Sequence, residues 1–79
     1  MPTLLILNGY RFFFYSNEKN EPRHIHVSKG KAVCKIWLEV KIEYAYSIGF
    51  NTKELNFIME VISSNASSFK NKWNEHFNK

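Results

Sequence analysis

His24 and His26 are separated by one residue. On an extended strand that spacing puts both imidazoles on one face, with their Cβ atoms about 6.5–7 Å apart. Two kinds of chemistry suit it. Neutral and protonated imidazole coexist near pH 7, so one ring could act as base and the other as acid on a single phosphate. Alternatively both rings could converge on a metal ion. The bland alternative is a hydrogen-bonded, inert polar face. A metal site needs a third or fourth ligand. Glu21 sits in a loop, Glu75 and His76 lie near the chain end, and no HExxH spacing is present. No metal is therefore assigned. With no glycine-rich phosphate loop either, no cofactor is expected.

Arg11, Arg23, Lys29, Lys31 and Lys35 surround the histidine pair in sequence, interleaved with Tyr10, Tyr15 and Trp37. An arginine can hold a phosphate bidentately and stabilise charge that develops on it. Arg11 is the candidate for that role beside His24 and His26. Arg23, Tyr15 and Lys31 are candidates to position a substrate backbone. Tyr10 and Trp37 read as core. Cys34, between Ala32 and Ile36, reads as a buried small hydrophobe. His76 falls on an apolar helical stripe and reads as a core-edge residue.

The elements that must position these groups follow from periodicity. Thr3–Leu7 is a short apolar run, and Asn8-Gly9 is a hairpin signal because a type I′ turn needs two positive φ angles. Tyr10–Tyr15 alternates Tyr10, Phe12 and Phe14 against Arg11, Phe13 and Tyr15. Apolar groups on both faces predict a central strand covered on both sides. Ser16–Pro22 is a polar loop, Arg23–Ser28 a third strand, Lys29-Gly30-Lys31 a turn and Ala32–Leu38 a fourth strand. Val40, Ile42, Tyr44, Tyr46 and Ile48 alternate with Lys41, Glu43, Ala45 and Ser47, which predicts a half-buried fifth strand. Asn51 and Glu54 form a capping box, with Phe50 and Leu55 at the staple positions. Leu55, Ile58, Met59 and Ile62 then make one helical stripe. The serine-rich stretch from Ser63 to Ser68 predicts a break and a second helix to about Phe77; one long bent helix is the rival reading, since the apolar period carries from Ile62 through Ala66 to Phe69. The expected fold is α+β: a mostly antiparallel sheet of four to five strands over about residues 3–48, then two C-terminal helices over about 51–77, packed on one face. The other face would be open.

Seventy-nine residues with one cysteine make a single domain, residues 1–79, whose core must come from apolar burial without a disulfide. Seven Phe, four Tyr and two Trp supply the area. A free thiol suits a reducing cytoplasm. The apolar N-terminal run is too short for a signal or a membrane span, so no membrane partner is expected. The net charge is +4, with six basic and three acidic residues in the first forty positions. That balance favours acidic or phosphate-rich partners.

Taken together, Gly9-Tyr10-Arg11-Phe12-Phe13-Phe14-Tyr15-Ser16-Asn17-Glu18, Glu21-Pro22-x-His24-Ile25-His26-Val27, Lys35-Ile36-Trp37-Leu38, Gly49-Phe50, Glu54-Leu55 and Trp73-Asn74-Glu75-His76-Phe77 resemble a small bacterial family, domain of unknown function 4160. The resemblance spans nearly the whole chain. It implies a toxin-like component of a type II toxin–antitoxin module, encoded beside a small antitoxin protein that is its partner. It supplies no set of catalytic residues, and Val40–Ile48 lacks the proline or arginine that the family tends to carry there.

Two functions are then in competition. One is a metal-independent ribonuclease in which His24 and His26 are base and acid and Arg11 stabilises the phosphorane-like charge, with RNA as substrate. The other is a non-catalytic module that binds nucleic acid or a partner protein through the open sheet face and a basic edge; a homodimer is a further candidate assembly. The enzyme requires Arg11, His24 and His26 to line one cleft that water reaches. Packed, dry surroundings around both histidines would count against it.

Overall fold

A computed structural model describes residues 3–15, 20–39 and 41–77. Five strands and one helix follow in order: β1 Thr3–Leu7, β2 Tyr10–Phe13, β3 His24–Lys29, β4 Ala32–Trp37, β5 Glu43–Ile48 and α1 Thr52–Phe77. The strands form one antiparallel sheet in sequence order, β1-β2-β3-β4-β5. Asn8 and Gly9 have φ of 52° and 83°, the two left-handed positions a type I′ hairpin needs. Part of the expected Ser16–Pro22 loop, and Val40 at the expected start of the fifth strand, lie outside the described residues.

The helix covers one face. Tyr10, Phe12, Ile25, Val27, Cys34 and Ile36 point into a core completed by Ile58, Val61, Ile62 and Phe69. Its start is the expected capping box. The Asn51 side-chain oxygen accepts from the Glu54 backbone N–H at 2.8 Å, and a Glu54 carboxylate oxygen accepts from the Asn51 N–H at 3.0 Å. The Tyr44 hydroxyl ties β5 to the first turn by donating to the Leu55 carbonyl, and burial pushes this phenol up to about 12.

The expected second helix does not exist as a separate element. Thr52–Phe77 is one helix of 26 residues. Ser63, Ser64, Ser67 and Ser68 are all exposed, so each costs only the few tenths of a kcal/mol of weak propensity. Phe69 and Trp73 are fully or nearly fully buried, at about 2–3 kcal/mol each. That gain outweighs the serines. Asn65 also serves the helix here, its amide donating to the Val61 carbonyl at 2.7 Å.

The expected clean alternation along the fifth strand fails for a local reason. Lys35 pairs with Tyr46, but Ile36 pairs with Tyr44. Ala45 is an extra residue, a β-bulge that reverses the side-chain phase. Tyr44 faces the helix, whereas Tyr46 and Ile48 take the opposite face with Lys35 and Val33. A second irregularity lies between Thr3 and Leu5 on β1, so both edge strands are bulged. Strand β2 is an inner strand, yet only one of its faces is covered by the helix. Phe13 on its other face is sealed by the neighbouring side chains of Arg11, Tyr15 and His26. Among the described residues, no helix is long and apolar enough to cross a membrane.

Candidate binding face

Antiparallel partners share a face, so the register lays out the side of the sheet that α1 leaves uncovered as cross-strand rows. The row nearest the hairpin turns is Ile6, Arg11, Ser28, Val33 and Ile48, spanning all five strands. The next is Thr3, Phe13, His26, Lys35 and Tyr46. A third, at the far end, holds His24, Trp37 and Glu43, and the Tyr15 ring joins it against His26 at 4.7 Å.

The histidine end of this face is packed. His24 is 0% and His26 7% exposed. The His24 ring lies 5.1 Å from His26, 5.4 Å from Trp37 and 4.9 Å from Trp73. Its Nδ1 is 2.8 Å from the Pro22 carbonyl. A carbonyl only accepts, so Nδ1 carries the proton and donates it there. His26 stacks on Phe13 at 5.6 Å. Trp73 extends the cluster on the helix side, against Phe14 and Phe77. The two expected imidazoles are therefore adjacent, and among the described residues they lie between aromatic side chains and line neither of the two clefts, whereas acid–base chemistry requires a water-filled one.

The other expected site residues are divided between the two ends. Arg11 lies in the turn-end row, its Nε donating to Thr3 Oγ1 at 2.9 Å and its guanidinium 4.5 Å from the Phe13 ring centre. Arg23 is at the opposite end. Its Nε and Nη2 reach one Glu39 oxygen at 2.9 and 2.6 Å, and Nη1 donates to the Asn74 side-chain oxygen at 3.2 Å. That hydrogen bond from Arg23 holds the Glu39 carboxyl below its ordinary range. Arg23, Glu39, Asn74, Glu21 and Pro22 line a polar cleft of about 320 Å³; the arginine is used there to fasten the helix C-terminus to the sheet. Tyr15 is exposed at the histidine end. Lys31 is exposed in the β3–β4 turn, beside an open hollow of about 700 Å³ that also includes Lys29, Ile48, Gly49 and the Glu54 carboxylate of α1. His76 is exposed rather than at the core edge, with its ring against Phe14 and Phe77.

Charge divides the face in the same way. Arg23 pairs with Glu39, and Lys35 with Glu21 at 2.7 Å; Lys35 also lies over the Trp37 ring. Among the described residues no carboxylate pairs with Arg11 or Lys31. The turn end thus keeps Arg11 without an ion-pair partner among the described residues, in one row with two bare aliphatic side chains, Ile6 at 67% and Ile48 at 62% exposure. Tyr46, 44% exposed, adjoins Ile48 on β5. Sequence reasoning missed Ile6, Tyr46 and Ile48. Ile6 sits in a uniformly apolar run, and the phase reversal at Ala45 leaves no mark in the residue types.

Burial pushes the Cys34 thiol up to about 12, which leaves it protonated and unreactive. Among the described residues no group of three or more histidine, cysteine or acidic side chains is placed to hold a metal ion.

No curated protein and no solved structure matches the chain. One family model does, over residues 9–74, from the β1–β2 turn to Asn74 in the last turns of α1. The chain belongs to the family described as domain of unknown function DUF4160.

Proposed function

We propose that the protein is a non-catalytic binding module that docks a partner protein on the uncovered sheet face, at the row Ile6–Arg11–Ser28–Val33–Ile48. The observation that carries this reading is the pair of bare isoleucines flanking an arginine that has no carboxylate partner among the described residues. Exposed aliphatic groups in line across a rigid sheet are what a protein interface buries, and an unpaired cation among them selects an acidic surface. Nucleic acid is less well matched, because the central aromatics of the face, Phe13 and His26, are packed and present no free ring face for stacking. Hydrolysis of RNA by His24 and His26 is less well matched still, since their rings are enclosed. In a toxin–antitoxin module of the type the family resemblance implies, such a component acts by occupying its target, and the small antitoxin protein is its cognate occupant.

The test is calorimetric titration with the small protein encoded beside it. The Ile6→Glu, Ile48→Glu variant is expected to bind at least about 30-fold more weakly than the native chain, the loss typical of interface hot spots. Raising salt should weaken binding only modestly. Native-like binding by that variant contradicts the reading. Steep salt dependence with an RNA oligonucleotide would point instead to a nucleic-acid target. New RNA ends after induced expression that vanish in a His24→Ala, His26→Ala variant would restore the ribonuclease.

A further inference from the structure

From the shape of this face we infer that the partner docks as an amphipathic α-helix with acidic residues along one flank, laid across the strands along the turn-end row. The inference rests on the protein-binding reading above and specifies the form of the occupant. A partner could reach this sheet in two ways, by adding a strand to an edge or by lying on the face. The edges are poor templates. Both β1 and β5 carry a bulge, which breaks the row of outward N–H and C=O groups that an added strand must pair with.

The face favours a rod. The two most exposed apolar side chains, Ile6 and Ile48, stand at opposite ends of one row on opposite edges of the sheet. Five strands leave four gaps of about 4.8 Å, a span of roughly 19 Å. At 1.5 Å per residue a helix of about 13 residues covers it. One apolar stripe on such a helix meets Ile6, Val33 and Ile48 together. Ser28 and Val33 between the ends are small enough to let the rod lie close. Arg11, inside the row and with no carboxylate partner among the described residues, then faces a flank of the helix, where a carboxylate complements it. The opposite face is already covered by a helix, α1, which follows β2 from Tyr10 against Phe57, through Phe12 against Phe69, to Phe14 against Trp73. A second helix makes the sheet the middle of three layers.

The experiment uses the full chain, 15N-labelled, and two blocked peptides of about 13 residues. One is a lactam-bridged helix with a leucine stripe and a glutamate flank; the other has the same composition with a central proline. The bridged peptide is expected to bind and to shift the amides of Ile6, Arg11, Val33 and Ile48. The proline peptide should bind about 100-fold more weakly, the equilibrium equivalent of proline inside a helix. An Arg11→Glu variant should lose preference for the glutamate flank over a lysine-flanked version. Equal binding of the two peptides, shifts confined to the outer amides of β1 or β5, or no binding of the bridged peptide at millimolar concentration overturns the helical mode. The protein-binding reading fails separately, if the Ile6→Glu, Ile48→Glu chain still binds the neighbouring protein as the native chain does.

Discussion

The two ends of the uncovered sheet face use opposite kinds of residue for opposite purposes. At one end stand histidines, tyrosine and tryptophan, the side chains that suggest chemistry. There the imidazoles are enclosed, Arg23 and Lys35 have carboxylate partners, and Trp73 reaches in from the helix. At the other end stand isoleucine, serine and valine around an arginine. There the apolar groups are bare and the cation has no carboxylate partner among the described residues. The comparison teaches that residue type is a poor guide to availability. In a sheet covered by one helix, where the core is small, aromatic and imidazole rings are drawn into packing. The surface left for recognition is then defined by what the fold does not cover.

Breaking the packed end should have the largest effect. Trp73 touches Phe14, His24 and Phe77 and is fully buried, so Trp73→Ala is expected to cost about 3–5 kcal/mol. That is a large part of the stability of a domain this size. Chemical denaturation checks it, and a loss under 1 kcal/mol would mean that the helix end does not seal the histidines. His26→Leu sharpens the same point. Because His26 packs against Phe13 and Tyr15, an apolar side chain of similar size keeps those contacts and should cost less stability than Trp73→Ala; an equal or larger loss would show that the imidazole is held by more than packing.

A smaller effect concerns pH. The folded state holds the Glu39 carboxyl below its ordinary 4.5. Its pairing with Arg23 therefore contributes stability that is fully present above the unfolded value and is lost as pH falls through the folded one. Because both side chains are partly exposed, water screens the pair and the contribution is modest. Comparing the acid-side melting of Glu39→Gln with the native chain isolates it. The variant should lose the part of the decline that belongs to this pair, with the two curves converging at low pH. Identical pH profiles would remove the pair from the account. The smallest stability change belongs to the bare end. Ile6→Ser and Ile48→Ser should each move stability by no more than about 0.5 kcal/mol; larger losses would show that these side chains are structural and not left free for a partner.

How much of this was legible beforehand differs by region. The Asn8-Gly9 hairpin and the Asn51/Glu54 cap were readable because local backbone chemistry alone decides them. Alternation in Tyr10–Tyr15 correctly divided the helix-facing Tyr10, Phe12 and Phe14 from Arg11, Phe13 and Tyr15. The split of the helix at the serines was misread, since the burial of Phe69 and Trp73 is a tertiary gain that local propensity does not contain. The phase of Tyr46 and Ile48 was hidden for a related reason: one bulge at Ala45 reverses it, and bulges depend on pairing with β4. The histidine pair was placed on one face as expected. Its enclosure depends on Trp37 and Trp73, which are remote in sequence.

The most direct measurement of the contrast needs no partner. Diethyl pyrocarbonate labels accessible imidazoles, and mass spectrometry of the labelled peptides separates the three histidines. His76 is exposed and serves as the internal reference. The account predicts that His76 is labelled readily while His24 and His26 are labelled at least about tenfold more slowly in the folded chain, as expected for groups reached through opening of the packed structure. Labelling of His24 and His26 at the rate of His76 would show that water reaches the histidine end, and would contradict the division of the face on which the binding reading stands.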